Sequence, residues 1–412
     1  MSAPPPTVPA GGLRHATGAF EAPGFRAVFA GAVLFSLGQW TERVAIGWFV
    51  FDATDSAFLT AAATAAHAAP AIFVGPIAGA VSDRAPRPGV LGGASVLKAV
   101  AVLVIAALVA TEGAAIGLVL ALVALSGIGA TFHLSSLHTL SGDLVGPDRR
   151  ASAISLVSTG QRAVAAAGAL ASGVVIGVAG PAWSLVLGGA AFALAALAYR
   201  AAHEPQERHG RSQASFVADT VEGLRLVSAV PMVAILLGLM VIVEIFGFSF
   251  HALLPAVADR VLHVGPLGFG GLSAMVGVGS VGGTLFLAAY ADRARLGLLF
   301  LGVFTAFGAL MIALGASHVY ALSLVAAAGI GACAAMVDAL EWIMLQNSVE
   351  DRMRGRALGA WNVAIGLGWI GPLILGALAD AVSVPAAFAL AGIVLLATAA
   401  GAASASPRLR RA

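Results

Sequence analysis

Seven charged residues lie inside otherwise apolar runs: Glu42, Arg43, Lys98, Arg162, Glu244, Asp338 and Glu341. A charge near the centre of a bilayer costs at least about 2.5 to 3.5 kcal/mol, so such residues carry function by default. Glu244 stands about midway along the run "PMVAILLGLMVIVEIFGFSFHALL". It reads either as a buried acid bonded to a neighbouring helix or as a carboxylate that takes up a proton on one side and releases it on the other. Asp338 and Glu341 are three residues apart and share one helix face, which suits proton carriage. Glu341 also stands close to the end of its run. Glu42 and Arg43 point in different directions from one helix. Arg43 would pair with an acid or attract an anionic group, and Arg162, near mid-depth, would do either as well. Lys98 lies nearer the inner surface, where its long stem suits snorkelling.

A second feature is an Asp-Arg pair at the end of an apolar run, used twice. "GPIAGAVSDRAPRPGV" places Gly79, Asp83, Arg84 and Arg87 together, and "FLAAYADRARLG" repeats the pair as Asp292 and Arg293. Arginines in a short loop signal topology, but acids contribute little to that rule, so it leaves Asp83 and Asp292 unexplained. Gly79, four residues before Asp83, would let a neighbouring helix approach closely. Asp83 would then face the positive N-terminus of an adjacent helix.

The elements that position these residues follow from composition. The chain has 412 residues, 59% hydrophobic and 10% charged, with mean hydropathy +0.96. A soluble domain carries about 25% charged residues, so this is an all-α membrane protein with many spans. Runs of about 20 apolar residues give twelve membrane helices, over 26–51, 57–82, 89–111, 114–139, 151–178, 181–200, 231–258, 266–290, 296–315, 318–345, 355–380 and 384–403. The alternation of a membrane β-barrel is absent from these runs. With the N-terminus cytoplasmic, the inner connections and the C-terminal tail hold nearly all loop arginines, while Arg260 alone falls outside.

Residues 1–25, rich in Pro and Gly, read as a disordered cytoplasmic tail. A six-helix bundle follows over 26–200. Residues 201–230 form a cytoplasmic linker, in which Phe216, Val217, Val221, Leu224 and Val227 fall at the spacing of an amphipathic surface helix. A second bundle spans 231–403 and a short tail covers 404–412. The Asp-Arg pairs fall after the second helix of each half, and "GDLVGPDRRASA" matches "QNSVEDRMRGRALG" in kind after the fourth. Two parallel six-helix repeats are a recognised transporter plan.

Gly79-Ala-Val-Ser-Asp83-Arg84 with Arg87 resembles the signature loop of the major facilitator superfamily. The stretches "LGQWTERVAIGWFVFDATDSA", "AGPAWSLVLGGAAFALAALA", "EGLRLV" and "RGRALGAWNVAIGLGWIGPLILGALAD" resemble its bacterial drug and siderophore exporter branch, which includes the enterobactin exporter and macrolide efflux proteins. The resemblance implies two pseudo-symmetric halves that rock around a substrate. It implies gating roles for Gly79, Asp83, Arg84, Arg87, Asp292 and Arg293; proton coupling or cavity roles for Glu42, Arg43, Arg162, Glu244, Asp338 and Glu341 are read instead from their place inside membrane runs. The resemblance also implies a monomer in the bacterial inner membrane. Ala85-Pro86 and Pro88 depart from the usual loop, and the fifth helix, "AAAGALASGVV", lacks the Gly-Pro motif common in antiporters of that branch.

No P-loop of the G-x-x-x-x-G-K-[ST] type occurs in the sequence, so energy is expected from an ion gradient, protons first. The expected function is proton-coupled export of small amphipathic molecules; the alternative is an importer or facilitator of a narrow-specificity polar metabolite. No nucleophile–base pair or metal cluster suggests an enzyme, and neither cofactor nor nucleic-acid partner is expected. "GVGSVG" at 277–282 fits a dinucleotide pattern but sits in a membrane run, where glycines pack helices. In "HEPQERH", His203 and His209 are separated by a proline and would not share a helix face. Trp40, Trp48, Trp342, Trp361 and Trp369 could line a cavity, although packing and interface anchoring are the default for such residues.

Overall fold

The computed structural model describes residues 18–22, 24–111, 113–145, 149–202, 230–290, 295–350 and 353–406. Twelve long helical segments run through them. They are α1 (Phe25–Thr54), α2 (Ala57–Arg84), α3 (Arg87–Ala110), α4 (Ile116–Asp143), α5 (Arg150–Ala179) and α6 (Pro181–Arg200) in the first half. The second half holds α7 (Pro231–Val261), α8 (Gly265–Tyr290), α9 (Leu296–Ala316), α10 (Tyr320–Asn347), α11 (354–381) and α12 (Val384–Ala405). Eleven of these runs are long and apolar enough to cross a membrane by length and composition. The run not among them is α1, which carries Arg26, Glu42, Arg43 and Asp52. Each predicted span lies on one of these segments, with ends displaced by a few residues, as fraying termini allow.

The two halves repeat one another. In the first, α1 packs on α5 and α6, α3 on α4 and α6, and α2 on α4. The second reproduces this with α7 on α11 and α12, α9 on α10 and α12, and α8 on α10. The halves then meet along two related seams, α2 against α11 and α5 against α8. Between helices in lipid no hydrophobic force operates, so close packing needs small residues. A Cβ on Gly173 would lie 2.7 Å from the Cα of Gly270 across the α5–α8 seam. At the other seam a Cβ on Gly376 would meet Ala61 Cβ at 2.7 Å. In "GVGSVG", Gly277 abuts Ala166 and Gly279 abuts the Ala328 carbonyl, so these glycines pack helices.

Three segments break their helical register. Helix α2 is interrupted at Ala69, before Pro70, whose ring cannot continue the hydrogen-bond ladder. Helix α7 contains π-helical turns at Val243–Gly247 and Val257–Val261. Helix α11 consists of Arg354–Gly366, a 3-10 turn at Leu367–Trp369 and Ile370–Ala381.

Residues 18–21, expected to fall within a disordered tail, are ordered. Gly18–Glu21 forms a 3-10 turn with Ala19 buried, and Arg149 Nη1 donates to the Gly18 carbonyl at 2.9 Å and to Glu21 at 3.2 Å. An arginine from the α4–α5 connection thus satisfies the turn, which composition alone did not show. The expected amphipathic helix at 216–227 lies outside the described residues, as do Asp292 and Arg293.

Candidate functional site

The two halves are clamped together at one end of their seam. The clamped end is built on the two-residue turn between α1 and α2. Asp55 adopts a left-handed φ of 44°, tolerable for Asp, and its N–H returns to the Phe51 carbonyl at 2.7 Å. Ser56 then caps α2, accepting from Leu59 N–H at 3.1 Å. Asp380, near the end of α11 in the other half, reaches across to the same helix start. It accepts from Ser56 Oγ at 2.7 Å and from the N–H groups of Ala57 and Phe58 at 2.9 Å each. A carboxylate suits those orphan amides and the positive end of the helix dipole.

Arg260, in the second π turn of α7, completes this clamp. Its Nη1 donates to Asp380 at 3.0 Å, its Nε to Asp55 Oδ1 at 3.1 Å, and its Nη2 to the Asp55 carbonyl. The guanidinium lies 5.1 Å from the centre of the Phe51 ring. One planar fork therefore joins α7, α11 and the α1–α2 turn, which is the geometry arginine provides and lysine does not.

Toward the opposite end the contact between α2 and α11 thins. On one flank their contact reaches Ile72, 3.1 Å from a Cβ placed on Gly366. Beyond it, Gly75 and Gly79 have nothing within 4 Å of their Cβ positions. The expected close approach to Gly79 is not made, and the first part of α11 touches this stretch of α2 only sparsely. A shallow depression of about 540 Å³ lies there instead, lined by Pro76, Ile77, Ala80, Val81, Arg84 and Ala85. Asp83 is exposed and has no hydrogen-bond or ion-pair partner among the described residues, so it does not face a helix N-terminus here. Arg87 turns to Asp143 at the end of α4, at 2.7 Å, and Arg150 meets the same carboxylate at 3.1 Å. Ser136 Oγ donates to Ser82 Oγ at 2.8 Å, fastening α2 to α4 just before the loop.

Inside the first half, Glu42 and Lys98 form a buried ion pair at 2.8 Å, with side chains 2% and 0% exposed. Ser126 Oγ donates to Glu42 Oε1 at 2.5 Å, and Lys98 Nζ donates to Ser126 Oγ at 2.9 Å. His67 Nε2 lies 3.4 Å from Lys98 Nζ, and the Phe192 ring centre lies 4.8 Å from it. Helices α1, α2, α3 and α4 are thereby tied at one depth. Lys98 does not snorkel: it turns inward because Glu42 offers a carboxylate that lipid cannot. His133 is also a packing residue, stacked on Phe35 with centroids 3.4 Å apart and 2.8 Å from the Tyr199 hydroxyl.

Arg43, the next residue of α1, makes no ion pair with any described residue. It lies 4.8 Å from the Trp40 ring centre and lines a cavity of about 80 Å³ with Gln39, Thr60, Thr64 and His67. That volume holds a small group, not a drug-sized molecule.

In the second half the membrane acids Glu244, Asp338 and Glu341 form no ion pair with any described residue. Glu244 stands in the first π turn of α7, beside the α11 break, where a Cβ on Gly368 would lie 2.5 Å from its Oε2. Asp338 and Glu341 come from α10, and the three carboxyls are within electrostatic reach of one another. Arg162 of α5 is exposed, lies within electrostatic reach of Asp338 and forms no ion pair with it. Glu341 is fully buried, and neither of its oxygens has a hydrogen-bond partner among the described residues. Helix α9, the counterpart of the helix that carries Lys98, contains no charged residue.

The structure thus brings together Glu244, Asp338, Glu341 and Arg162, and separately joins Glu42 to Lys98. It keeps both groups apart from the Asp83 loop. The clamp of Asp55, Arg260 and Asp380 was not singled out from sequence, nor was Asp143. All four lie at or near helix ends, where charges are ordinary, and only the pairing distinguishes them.

The sequence profile of the Major Facilitator Superfamily matches residues 28–370 and 245–411. No curated protein is significantly similar to the chain. Among solved structures, a bacterial homolog of the human lysosomal transporter Spinster, inward-facing and unoccupied, superposes with a TM-score of 0.70 at 14% identity, covering 97% of each chain. A mutant of the nucleoside transporter NupG gives 0.77 at 13% identity, covering 92% of this chain and 99% of that one. A mutant of the peptide transporter POT in complex with alafosfalin gives 0.72 at 12% identity, covering 96% and 99%. At these identities the likeness is one of fold. The profile spans nearly the whole chain and the twelve helices follow the same plan, so the protein belongs to the major facilitator superfamily and is a multi-pass secondary membrane transporter.

Proposed function

We propose that the protein is a proton-coupled exporter of small amphipathic molecules in the bacterial inner membrane, with both termini cytoplasmic and the monomer as the working unit. The observation that carries this reading is the set of three membrane carboxyls, Glu244, Asp338 and Glu341, none of which forms an ion pair with a described residue. An uncompensated acid in an apolar setting must take a proton or a cation, and alternating exposure to the two sides turns that requirement into coupling. The loop arginines cluster at the end opposite the clamp, which supports a cytoplasmic assignment for it and an inward-open state. Substrate would enter between the halves there. On closure, the depression along α2 would receive α11, and Asp83 would meet the positive start of that helix, with Arg84 beside it; Asp292 and Arg293 would hold the related position after α8.

Accumulation of a panel of dyes, antibiotics and siderophores in cells stripped of their own exporters tests this. Intact protein should lower accumulation, a protonophore should abolish the difference, and Asp83→Asn should reduce it severalfold. The reading fails if transport ignores the protonophore and survives simultaneous neutralisation of Glu244, Asp338 and Glu341. The small cavity beside Arg43, lined in part by Gln39, Thr60, Thr64 and His67, favours a second reading, an importer or facilitator of a narrow-specificity polar metabolite. Uptake, rather than reduced accumulation, would be its result.

A further inference from the structure

We propose that the cavity inside the first half, lined by α1, α2 and α4, is a binding site for a carboxylate group or a monovalent oxyanion of that size, received by the Arg43 guanidinium. The inference goes beyond the exporter reading: it assigns the charge of what the first half holds, and it stands for export and import alike.

Charge selects the ligand. Glu42 and Arg43 are neighbours on α1, but the Glu42 carboxylate is already committed. One of its oxygens lies 2.8 Å from Lys98 Nζ, and the other accepts from Ser126 Oγ. Arg43 is left without an ion pair or a hydrogen bond to any described residue. It is half-buried, and its nitrogens are not sealed in protein, so they border open space. Glu42, Lys98 and Arg43 together therefore carry one surplus positive charge among apolar helices. Such a charge is costly until something completes it. A single monovalent anion balances it, whereas a dianion reverses its sign.

Shape narrows the choice. The cavity, of about 80 Å³, is lined by Arg43 and Gln39 from α1 and by Thr60, Thr64 and His67 from α2, all within the first half. Gln39 and Arg43 are four residues apart, and Thr60, Thr64 and His67 follow at four and three, so each set forms one polar row along its helix. The Thr60 and Thr64 hydroxyls are turned to backbone carbonyls of α2 and its cap. The Gln39 amide has no hydrogen bond to any described residue. An ammonium has only hydrogens to give, so His67 Nε2 accepts from Lys98 Nζ at 3.4 Å and the ring proton sits on Nδ1. Free donors thus come from Arg43, Gln39 and His67. A guanidinium edge matches a carboxylate by two parallel hydrogen bonds. A halide would use the charge but not the fork, and a neutral amide would leave the charge unbalanced.

The test is equilibrium binding of radiolabelled acetate to the purified full-length protein in lipid nanodiscs, in a zwitterionic buffer. Saturable binding is expected, displaced by formate and nitrate but not by acetamide, which keeps acetate's shape without its charge. Arg43→Gln should weaken binding by at least about tenfold. Arg43→Lys should weaken it less, because it keeps the charge and loses the fork. Gln39→Leu, which touches no described ion pair, should weaken it severalfold and serves as the second variant. Since Arg43 supports no ion pair, Arg43→Gln should keep the parent's elution profile and melting temperature, and the exposed Glu21→Gln should bind as the parent does. Octanoate and phenylacetate distinguish the source. Competition as strong as formate's assigns the site to the carboxylate of a larger substrate; competition by small anions alone assigns it to a free anion. No saturable binding, unchanged affinity in Arg43→Gln, or displacement by acetamide as effective as by formate overturns the proposal. Intact acetate binding without gradient-driven export of dyes from proteoliposomes would instead overturn the exporter reading and leave this site standing.

Discussion

Lys98 and Glu42 show how a residue's neighbours override its position along the chain. Its linear depth suggests a lysine reaching for the surface, yet its ammonium is sealed between α1, α3 and α4. Removing one member of a buried pair strands the other, at a cost of about 3 to 5 kcal/mol. Lys98→Met should therefore lower the melting temperature sharply. Lys98→Met combined with Glu42→Gln should recover much of the loss, since no charge is then left alone. If the double variant is no better than the single one, the pair is not what holds α1 to α3. The charged residues were legible because ionisable groups are rare in apolar runs. Their partners were not, because pairing depends on how helices rotate against one another.

Helices are the level at which the sequence speaks most clearly. Bilayer thickness sets the length of each apolar run, and the spans from 57–82 to 384–403 fall on the observed helices. The interruptions are harder to foresee. A π turn adds one residue to a turn without any compositional mark, so nothing in "VIVEIFG" announces the Val243–Gly247 segment that presents Glu244. Pro70 marks a break plainly, whereas Gly366–Trp369 does so only faintly. Seams depend on single glycines in the same way. At the α5–α8 crossing a Cβ on Gly270 would lie 2.7 Å from the Cα of Gly173, so backbone, which cannot move aside like a flexible side chain, blocks it. Gly270→Val should cost about 1 to 3 kcal/mol through overpacking and reduce transport. A thermal melt and an accumulation assay would reveal it. Gly177, one turn further along α5, has open space and should accept Ala with little effect on either.

For the whole molecule, what matters is which end of the seam between the halves is clamped. The clamp spans both halves, because Asp380 caps α2 from across the seam and Arg260 ties Asp380 to Asp55. Every bond in it must break if that end is to open, so the clamp biases the transporter toward the conformation seen here. The groups are partly exposed, with Asp55 at 81% and Arg260 and Asp380 at 28% each, which discounts their electrostatic value. Arg260→Gln should therefore release about 1 kcal/mol of that bias, a shift of roughly fivefold between the two end states. The readout is labelling of Ala57→Cys, whose side chain is buried here and takes no part in the clamp, by a membrane-impermeant maleimide in whole cells, with the buried native Cys333 as an internal blank. Labelling should rise in Arg260→Gln and rise less in Arg260→Lys, which keeps the charge but loses the fork. Asp380→Asn should behave like Arg260→Gln, because it weakens both the helix cap and the ion pair. If neither substitution changes labelling, the α5–α8 and α2–α11 glycine seams alone hold that end shut, and the clamp is a consequence of closure rather than a cause.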